Sequence, residues 1–464
     1  MMKALSIQQK VQSEIDLLSK KKRKEMSSRE RVRLLQLKLY LKAKQEKGYK
    51  FYILYDKIFQ GHILEEAYRR CKANKGSPGV DKQTFTDVEE YGVTKFLEEI
   101  KEELRTRTYK PHAVRRVWIE KENGGKRPLG IPTIKDRVVQ QACKIVIEPI
   151  WEADFDDSSH GFRPKHSAKD AITEIRDNLR EGKHSVYDAD LSKYFDTIPH
   201  DKLMIVLSER IADPRVLHLI QLWLQAPIVE EDGSYTGGKS NKQGTPQGGV
   251  ISPLLANIYM HLLDRIVNNP QGRFSKEGIT MIRYADDFIL MSKHISQEML
   301  HRLHHYIDRM GLTINKDKSK MVNAKESTFD FLGFTFRYDQ SILFKGKKFW
   351  NVIPRQKSQK KIRQKVNAKL KKINHYPAPN VVEELNPILR GWMNYYRIEK
   401  VSYTQVAFKT LEDYLRRRMY QFYNRKSQRK SSLYGQQAFD ILVKEYGLIK
   451  PYTSSGLRPV NTLR

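Results

Sequence analysis

The chain has 464 residues, more than a single hydrophobic core usually organises, so several packed parts are expected. Its 85 lysines and arginines outnumber 54 acidic residues, and the formal charge of +31 favours a polyanionic partner, above all nucleic acid. A membrane protein is not expected, because no apolar run approaches the roughly 20 residues of a spanning helix and the N-terminus lacks a signal-peptide core. We therefore expect a cytosolic protein.

Residues 1–50 form the first predicted part, a basic, helix-forming stretch in which leucines stand among many charges. A solvated helix or a flexible arm would have this pattern. A nucleic-acid-binding extension would have it equally well, because one sign of charge dominates.

Residues 51–185 alternate between helices and short strands. Residues 113–119 (AVRRVWI) predict a strand, and Gly124 begins a hairpin turn that leads into KRPLGIP. Pro132 and Thr133 open a helix, because apolar residues recur after them at helical spacing. This region therefore combines a β-hairpin with helices.

Residues 185–340 mix strands with helices. The segments SVYDADL and MIRYADDFILM predict short apolar strands that carry carboxylates, and HRLHHYIDRMGLTI predicts a helix. An α+β order of this kind suits a sheet backed by helices.

Beyond residue 350 the chain is predicted to be helical, with three apolar stripes that indicate a three-helix bundle. The stripes are Ile362, Val366, Leu370 and Ile373; Val382, Leu385, Leu389, Trp392 and Tyr396; and Leu411, Leu415, Met419 and Phe422. Residues 351–430 hold 20 basic and 5 acidic residues with ten interleaved aromatics, which suits a surface that contacts phosphates and stacks bases. Trp392, Tyr396 and Phe422 are expected in the bundle core.

Three aspartates are candidates for catalysis. Asp286 and Asp287 lie between two apolar strands, at the tip of a predicted hairpin, where aspartate is also an ordinary turn residue. Asp190 closes an apolar strand and is harder to explain by turn preference. Asp188 shares its face of that strand and is given a supporting or structural role.

Crowded carboxylates such as these are costly unless a cation neutralises them. Two divalent ions would do so, one activating a hydroxyl nucleophile and both sharing the charge of an in-line phosphoryl transfer. Oxygen ligands favour Mg²⁺, with Mn²⁺ as a substitute. Cys71 and Cys143 are too few and too far apart in sequence to predict a disulfide framework or a cysteine-based zinc site.

Long motifs then occur in a diagnostic order. They are RPLGIPTIKDRVVQQA, HGFRP, DLSKYFD, GTPQGGVISPLLANIYM, RYADD, NKDKSK and FLGF. In this order the chain resembles the bacterial group II intron reverse transcriptase/maturase family, from about residue 51 to about 425. The segment LNPILRGWMNYYRI favours the intron branch over retroviral enzymes.

The resemblance implies an α+β right-hand polymerase, with fingers, a palm built on a ferredoxin-like antiparallel sheet, and an α-helical thumb bundle. The expected parts are a basic helical extension (1–50), fingers with part of the palm (51–185), palm (186–340), thumb or maturase-type bundle (341–425) and a short basic tail (426–464). Many relatives carry a C-terminal endonuclease with paired cysteines, and none is expected here. The implied location is the bacterial cytosol, with nucleoid association on DNA.

The resemblance also implies roles for individual residues around the metal ions. Asp190, Asp286 and Asp287 correspond to the metal-binding palm aspartates, and the backbone carbonyl of Leu191 to a further metal ligand. Lys318 corresponds to a lysine near the triphosphate that protonates the leaving pyrophosphate; an ordinary surface lysine is the alternative.

A second group of residues is implied to bind the incoming nucleotide. Lys121 and Arg127 match positions that grip its triphosphate; a solvated hairpin is the alternative. Phe195 matches the bulky residue that blocks a ribose 2′-hydroxyl and so selects deoxynucleotides; an ordinary core aromatic is the alternative. Gln247 and Gly248 match the segment along the nascent base pair, where glycine permits close approach of the backbone.

The resemblance suggests a further part of the site, and the residue beside Phe195 is assigned to the core. Residues 331–334 (FLGF) resemble the turn that grips the primer end. Tyr194 is expected in the core beside Phe195.

The implied function is DNA synthesis on an RNA template from a DNA primer, together with binding and splicing of group II intron RNA as a maturase. A domesticated relative that acts in repair or antiviral defence would have the same chemistry. An RNA-binding splicing factor with a decayed polymerase is a third possibility. The intact aspartates and Phe195 argue against decay, because a binding role needs neither.

Overall fold

The computed structural model describes residues 2–22, 25–120, 124–341, 346–424 and 431–452. Helices and strands are mixed along the chain, which divides into two compact units. The first unit consists of Met1–His166, Ala189–Leu290 and Ser296–Lys320. The second consists of Ser167–Asp188, Met291–Ile295 and Met321–Arg464.

The helices of the described residues follow in chain order. They are α1 (Met2–Ser19), α2 (Ser28–Gln45), α3 (Tyr55–Ile58), α4 (Gly61–Ala73), α5 (Phe85–Tyr91), α6 (Val93–Thr106), α7 (Ile134–Glu152), α8 (Ala168–Arg180), α9 (Tyr194–Thr197), α10 (His200–Ser208), α11 (Pro214–Leu224), α12 (Ser252–Val267), α13 (Arg273–Lys276), α14 (Gln297–Arg309), α15 (Gln356–Lys372), α16 (Ala378–Tyr396), α17 (Gln405–Tyr423) and α18 (Ala438–Tyr446). None of these helices is both long and apolar enough to cross a membrane.

The strands of the described residues are short. They are β1 (Val114–Glu120), β2 (Lys126–Ile131), β3 (Ser159–His160), β4 (Ser185–Ala189), β5 (Pro227–Val229), β6 (Tyr235–Gly237), β7 (Thr280–Tyr284), β8 (Asp287–Ser292), β9 (Lys320–Asn323), β10 (Phe329–Phe331), β11 (Phe334–Gln340) and β12 (Lys348–Pro354).

Helix α7 is the central helix of the first unit and is buried along most of its length. It begins where the sequence predicts, because the Thr133 side chain caps it by accepting a hydrogen bond from the backbone N–H of Asp136 at 3.1 Å. Helices α2 and α4 pack against it.

Helix α2 belongs to this packed core although it comes from the basic N-terminal stretch. A capping box between Ser27 and Glu30 starts the helix. Its Gln36 amide donates a hydrogen bond to the Ile145 carbonyl on α7 at 3.1 Å. Five of its residues are buried: Val32, Leu37, Leu39, Leu41 and Ala43. A solvated helix or flexible arm is therefore the wrong interpretation for α2, because α7 covers its apolar side.

The predicted hairpin is present in the first unit. Strand β1 pairs antiparallel with β2, with Ile119 opposite Arg127, which confirms the strand and turn predicted there. Strand β5 adds to β1 in parallel and β6 pairs antiparallel with β5, which gives the order β2-β1-β5-β6. The β5–β6 hairpin was not expected from the sequence.

The predicted strands around the aspartates are present as β7 and β8. Strand β3 pairs with β7 in parallel, with Ser159 opposite Arg283 and His160 opposite Tyr284. The expected antiparallel palm sheet therefore has a parallel pair at this edge, which corrects the prediction there. More than a hundred residues separate β3 from β7, a connection long enough for the crossover that parallel pairing needs.

Helix α14 also differs from its prediction at one end. It ends at Arg309, before the GLTI segment that the sequence assigned to it. Gly311 follows with φ +74°, a backbone conformation that glycine adopts without strain and that stops a helix.

The second unit contains an antiparallel sheet in the order β10-β11-β12 and helices α15 to α18. The three predicted apolar stripes lie on α15, α16 and α17, with Ile373 just after α15. All of their residues except Tyr396 share one core with Phe439 and Leu442 of α18. Tyr396 and Phe422 are buried, and Trp392 packs half-buried against the same core. Helix α18 was not predicted from the sequence. It is short, and its buried apolar residues Phe439 and Leu442 lie outside the three stripes.

Candidate active site

The hairpin between β7 and β8 presents Asp286 and Asp287 at its tip. Ala285 precedes them with φ +59°, in the left-handed region that is unfavourable for a residue with a Cβ. Its N–H donates a hydrogen bond to the His160 carbonyl at 3.0 Å. Its carbonyl accepts one from the Arg283 guanidinium at 2.8 Å. The main chain before the aspartates is thus fixed at both of its polar groups.

Arg283 anchors this hairpin from inside the core. Its side chain is fully buried and donates to both carboxylate oxygens of Asp264, at 2.9 and 2.6 Å. It also donates to the Asn257 side-chain oxygen at 2.9 Å. Burial tends to lower the pKa of Arg283, but the Asp264 carboxylate outweighs burial and raises it above its usual value. The guanidinium therefore stays charged.

Asp286 is half-buried and lies near one negative and one positive side chain. Burial raises the pKa of its carboxyl above the usual value, and the negative charge of Asp190 raises it further. The positive charge of Arg127 acts in the other direction. The structure thus brings the predicted residues Asp190 and Arg127 within electrostatic range of Asp286.

Asp190 is held through its backbone. Its N–H donates to the Ser319 hydroxyl at 3.1 Å, and its carbonyl accepts from the Asn315 N–H at 2.8 Å. The Lys318 ammonium lies 3.2 Å from the Asp190 carboxylate. The predicted residue Lys318 is largely exposed and forms an ion pair with a predicted metal ligand. Its role toward the pyrophosphate stays a prediction.

Leu191 forms an isolated antiparallel bridge with Ile314. The flanking residues make the hydrogen bonds of this bridge, since the Ser192 N–H donates to the Thr313 carbonyl at 2.8 Å. In such a pair the carbonyl of the central residue points away from the partner segment. The Leu191 carbonyl thus faces away from residues 313–315.

The metal-ligand assignment itself stays a prediction. Asp287 is the exposed first residue of β8. In the part of the chain that the structure describes, no three His, Cys, Asp or Glu side chains are grouped closely enough to hold a metal ion. The donor chemistry nevertheless fits a divalent ion. Asp190 and Asp286 are oxygen donors whose negative charges repel each other, and a cation would relieve that repulsion. Lys121 lies outside the described residues.

Phe195 lies in the short helix α9, just after Lys193, which has φ +49°. Phe195 is half-buried, while Tyr194 is buried and donates its hydroxyl to the Ala256 carbonyl at 2.6 Å. The expectation that Tyr194 is the core member of the pair is confirmed. Phe195 is left at the surface of the site, which is where a steric gate would have to be.

Residues Gln247 and Gly248 lie against strand β2. The Gln247 carbonyl accepts a hydrogen bond from the Gly130 N–H at 2.5 Å. Gly248 has φ +110°, and a Cβ built there would lie 2.4 Å from the Gly130 carbonyl oxygen. The close approach that requires glycine at 248 is thus to the backbone of β2, which differs from the expected approach to a ligand.

Asp196 is a residue of the site that sequence reasoning missed. Its carboxylate accepts a hydrogen bond from the side-chain amide of Gln247 at 3.0 Å, which links the Phe195 segment to the segment of Gln247. The Thr245 N–H donates to the Phe195 carbonyl at 2.7 Å and strengthens this link. The aspartate of the YFD motif was the available signal, but its partner is 51 residues away in sequence.

The FLGF segment forms a tight turn in the second unit. Leu332 and Gly333 connect β10 to β11 with φ +46° and +80°. The Tyr395 hydroxyl of α16 donates a hydrogen bond to the Leu332 carbonyl at 2.8 Å. A Cβ at Gly333 would lie 2.8 Å from the Tyr396 hydroxyl, and the φ of +80° would strain any other residue there. The primer-grip role of this turn stays a prediction.

Two family models match the chain. The model of the reverse transcriptase (RNA-dependent DNA polymerase) matches residues 119–336, which include every predicted active-site residue. The model of the group II intron maturase-specific domain matches residues 359–438, which cover most of α15 and all of α16 and α17. The two matches occur in the order that the motifs predict.

Curated relatives are similar over parts of the chain. Protein YkfC of Escherichia coli strain K12 is 35% identical over 315 residues, which cover 60% of this chain and 80% of YkfC. The group II intron-encoded protein LtrA of Lactococcus lactis subsp. cremoris is 36% identical over 228 residues, 48% of this chain and 37% of LtrA. An uncharacterized 91 kDa protein in the cob intron of Schizosaccharomyces pombe is 27% identical, over 76% of this chain and 52% of that protein.

A solved structure is also similar. A chain of the partial Cas6-RT-Cas1--Cas2 complex matches with a TM-score of 0.34 and 24% identity, over 55% of this chain and 40% of that chain. The chain thus spans most of YkfC but only 52% and 37% of the two intron-associated relatives. On the two family models and on the 35% identity to YkfC, the chain belongs to the family of group II intron reverse transcriptases and maturases.

Proposed function

We propose that this chain extends a DNA primer on an RNA template and binds group II intron RNA as a splicing maturase. The observation that carries the polymerase proposal is the convergence of Asp190, Asp286, Lys318 and Arg127 in the first unit. The two neighbouring carboxylates can bind divalent metal ions, and the two basic side chains beside them can bind the phosphates of a triphosphate. The family supplies the direction of synthesis, from RNA to DNA.

Reverse transcriptase domains generally depend on divalent metal ions. We propose Mg²⁺ as the natural ion, in two copies and replaceable by Mn²⁺, with Asp190, Asp286, Asp287 and the Leu191 carbonyl as ligands. Bound there, the ions would supply charge neutralisation for in-line phosphoryl transfer. The oxygen-only donor set supports this choice of metal.

The protein's own residues orient and select the nucleotide. Arg127 and Lys318 carry positive charge toward the triphosphate, together with Lys121, and Lys318 protonates the leaving pyrophosphate. Phe195 occupies the space of a ribose 2′-hydroxyl and excludes ribonucleotides. Gln247 and Gly248 lie along the nascent base pair. The contact of Lys318 with Asp190 at 3.2 Å and the surface position of Phe195 support these roles.

The right-hand arrangement is part of the proposal. Residues 51–185 would be the fingers with part of the palm, 186–340 the palm and 341–425 the thumb. The β1–β2 hairpin, the β7–β8 hairpin and helices α15 to α17 support this division by their order along the chain.

The family implies a nucleic-acid partner such as intron RNA. Helix α15 suits such a partner, because it carries eight basic residues and no acidic one. Its apolar residues Ile362, Val366 and Leu370 face the core of the second unit, so the basic residues line the opposite side. We propose this basic side as a contact for intron RNA.

Primer extension on an RNA template tests the polymerase proposal. Purified protein is expected to extend a DNA primer with deoxynucleotides when Mg²⁺ or Mn²⁺ is present and not with EDTA. Phe195→Ala is expected to raise incorporation of ribonucleotides relative to deoxynucleotides, because the 2′-hydroxyl gains space. Tyr194→Phe is the matched control, since it removes only a core hydroxyl and leaves this ratio unchanged.

Sequencing of the RNA that copurifies with the protein tests the maturase proposal. A structured intron is the expected RNA. Intron binding without any primer extension would instead identify an RNA-binding splicing factor. Extension without any intron RNA would favour a repair or defence setting.

A further inference from the structure

Phe162 is exposed in the middle of a buried segment. The neighbouring residues His160 and Arg163 of the HGFRP motif are buried, yet 53% of Phe162 is exposed to solvent. Burial of a large aromatic side chain is favourable, so the exposure of Phe162 between buried residues is costly and points to a function.

The backbone of Phe162 is strained as well. Its φ of +55° lies in the left-handed region, which is a genuine outlier for a bulky residue. Gly161 before it has φ +83°, and a Cβ there would lie 2.7 Å from the backbone nitrogen of Ala285. The segment is thus pressed against the hairpin that presents Asp286. Strain of this kind persists where the surroundings enforce it, often at functional sites.

Contacts on both sides enforce this conformation. The Gly161 carbonyl accepts a hydrogen bond from the Asn257 amide at 2.9 Å. The Arg163 guanidinium lies 3.1 Å from the Glu152 carboxylate and donates to the Asp156 carbonyl at 2.6 Å. Because both neighbours are anchored, the ring of Phe162 is held outward.

The exposed ring lies beside the predicted steric gate. Its centroid is 6.5 Å from that of Phe195, with an angle of 84° between the ring planes, which is an edge-to-face pair. Phe162 and Phe195 therefore form one apolar surface next to the hairpin of Asp286.

We propose that Phe162 is a substrate-binding residue that contacts the deoxyribose of the incoming nucleotide and, with Phe195, forms an apolar wall around the sugar. This inference rests on the proposed polymerase function. An apolar wall accepts the C2′ methylene of a deoxynucleotide. The hydroxyl of a ribonucleotide would lose its hydrogen bonds with water there without replacement. Phe162 thus contributes both to nucleotide affinity and to discrimination against ribonucleotides.

The variant Phe162→Gly separates this role from a structural one. Glycine adopts φ +55° without strain, so the variant is expected to fold and to unfold at a temperature no lower than the wild type. The KM for dTTP in primer extension is expected to rise about tenfold while kcat changes little, because the contact serves binding. The KM of Phe162→Trp is expected to lie close to that of the wild type, because an aromatic ring is kept at this position. Lys82→Gly, at an exposed residue with φ +58°, provides the same backbone relief and should leave the KM unchanged.

Equilibrium binding of dTTP to the protein with primer and RNA template, in Ca²⁺, provides a readout without chemistry. Weaker binding by Phe162→Gly, together with a lower preference for dTTP over UTP, supports the inference even if extension fails. Unchanged affinity and preference in this variant overturn it, whether or not the wild type extends primers. Failure of the wild type to extend primers, with dTTP binding that still depends on Phe162, would reject the polymerase proposal alone.

Discussion

The guanidinium of Arg283 is fully buried and donates hydrogen bonds of 2.9 and 2.6 Å to the two carboxylate oxygens of Asp264. Arg283→Met removes one partner and leaves the Asp264 charge buried and unpaired. We expect a loss of about 3–5 kcal/mol in the free energy of unfolding, measured by urea denaturation.

A surface pair provides the control for this prediction. Arg265 lies 2.9 Å from Glu209, and both side chains are about half exposed. Arg265→Met should cost at most about 1 kcal/mol, because water screens the pair. Equal losses for the two variants would show that the buried pair does not hold the hairpin in place.

His261 predicts how stability depends on pH. Its ring is buried against Phe155, with ring centroids 5.4 Å apart, and burial lowers the pKa of His261 to about 4. In the unfolded chain the pKa is about 6.5. Between these values the unfolded state binds a proton that the folded state does not. His261 therefore costs no stability above pH 6.5, and stability falls as the pH drops toward 4.

The variant His261→Phe removes this titration. From pH 7 to pH 4, the wild type should lose about 3 kcal/mol more of its free energy of unfolding than this variant. His301→Gln, at an exposed position on α14, should behave as the wild type does. An identical pH profile for wild type and His261→Phe in urea denaturation would contradict the assignment.

The hydrogen bond between Asp196 and Gln247 predicts that two substitutions of Asp196 differ in their effect on activity. Asp196→Ala removes the acceptor of the Gln247 amide, and we expect kcat/KM for nucleotide incorporation to fall about tenfold. Asp196→Asn keeps a side-chain oxygen as acceptor and should retain most of the activity. Equal activity of Asp196→Ala and wild type would show that the orientation of Gln247 does not matter for incorporation.

Local signals in the sequence predicted the elements that depend on neighbouring residues. The cap at Thr133, the β1–β2 hairpin and the three apolar stripes each follow from spacing within one element, and each is present. Motif order predicted where the candidate site lies. These features need no knowledge of which distant segments meet.

The features that the sequence did not reveal depend on distant partners. The burial of α2 against α7, the parallel pairing of β3 with β7 and the contact of Asp196 with Gln247 each join segments far apart in the chain. The strained backbone of Phe162 arises because the residues on either side of it are held in place. The spacing of apolar residues in the sequence gives no sign of this. Long-range packing overrides local propensity at such positions.

The basic side of α15 predicts how RNA binding depends on salt. Lys360, Lys365 and Lys371 are exposed on this helix. Replacing all three by Gln should weaken binding of intron RNA. The slope of log K against log salt should become less steep by about 2, because three fewer phosphate contacts release counterions. Titrations between about 50 and 200 mM salt measure the slope.

A matched triple variant on the first unit controls for net charge. Lys38, Lys95 and Lys239, replaced by Gln, remove the same charge outside α15. A similar change of slope in both variants would mean that overall charge, and not this helix, governs binding.

The most direct test of the account is the rate of primer extension by Asp286→Asn on an RNA template with Mg²⁺. The substitution keeps the size of the side chain and removes one negative charge from the pair with Asp190. We predict a loss of at least about 100-fold in rate, with unchanged binding of primer and template, while Asp308→Asn on α14 extends normally. Undiminished extension by Asp286→Asn would contradict the assignment of the active site.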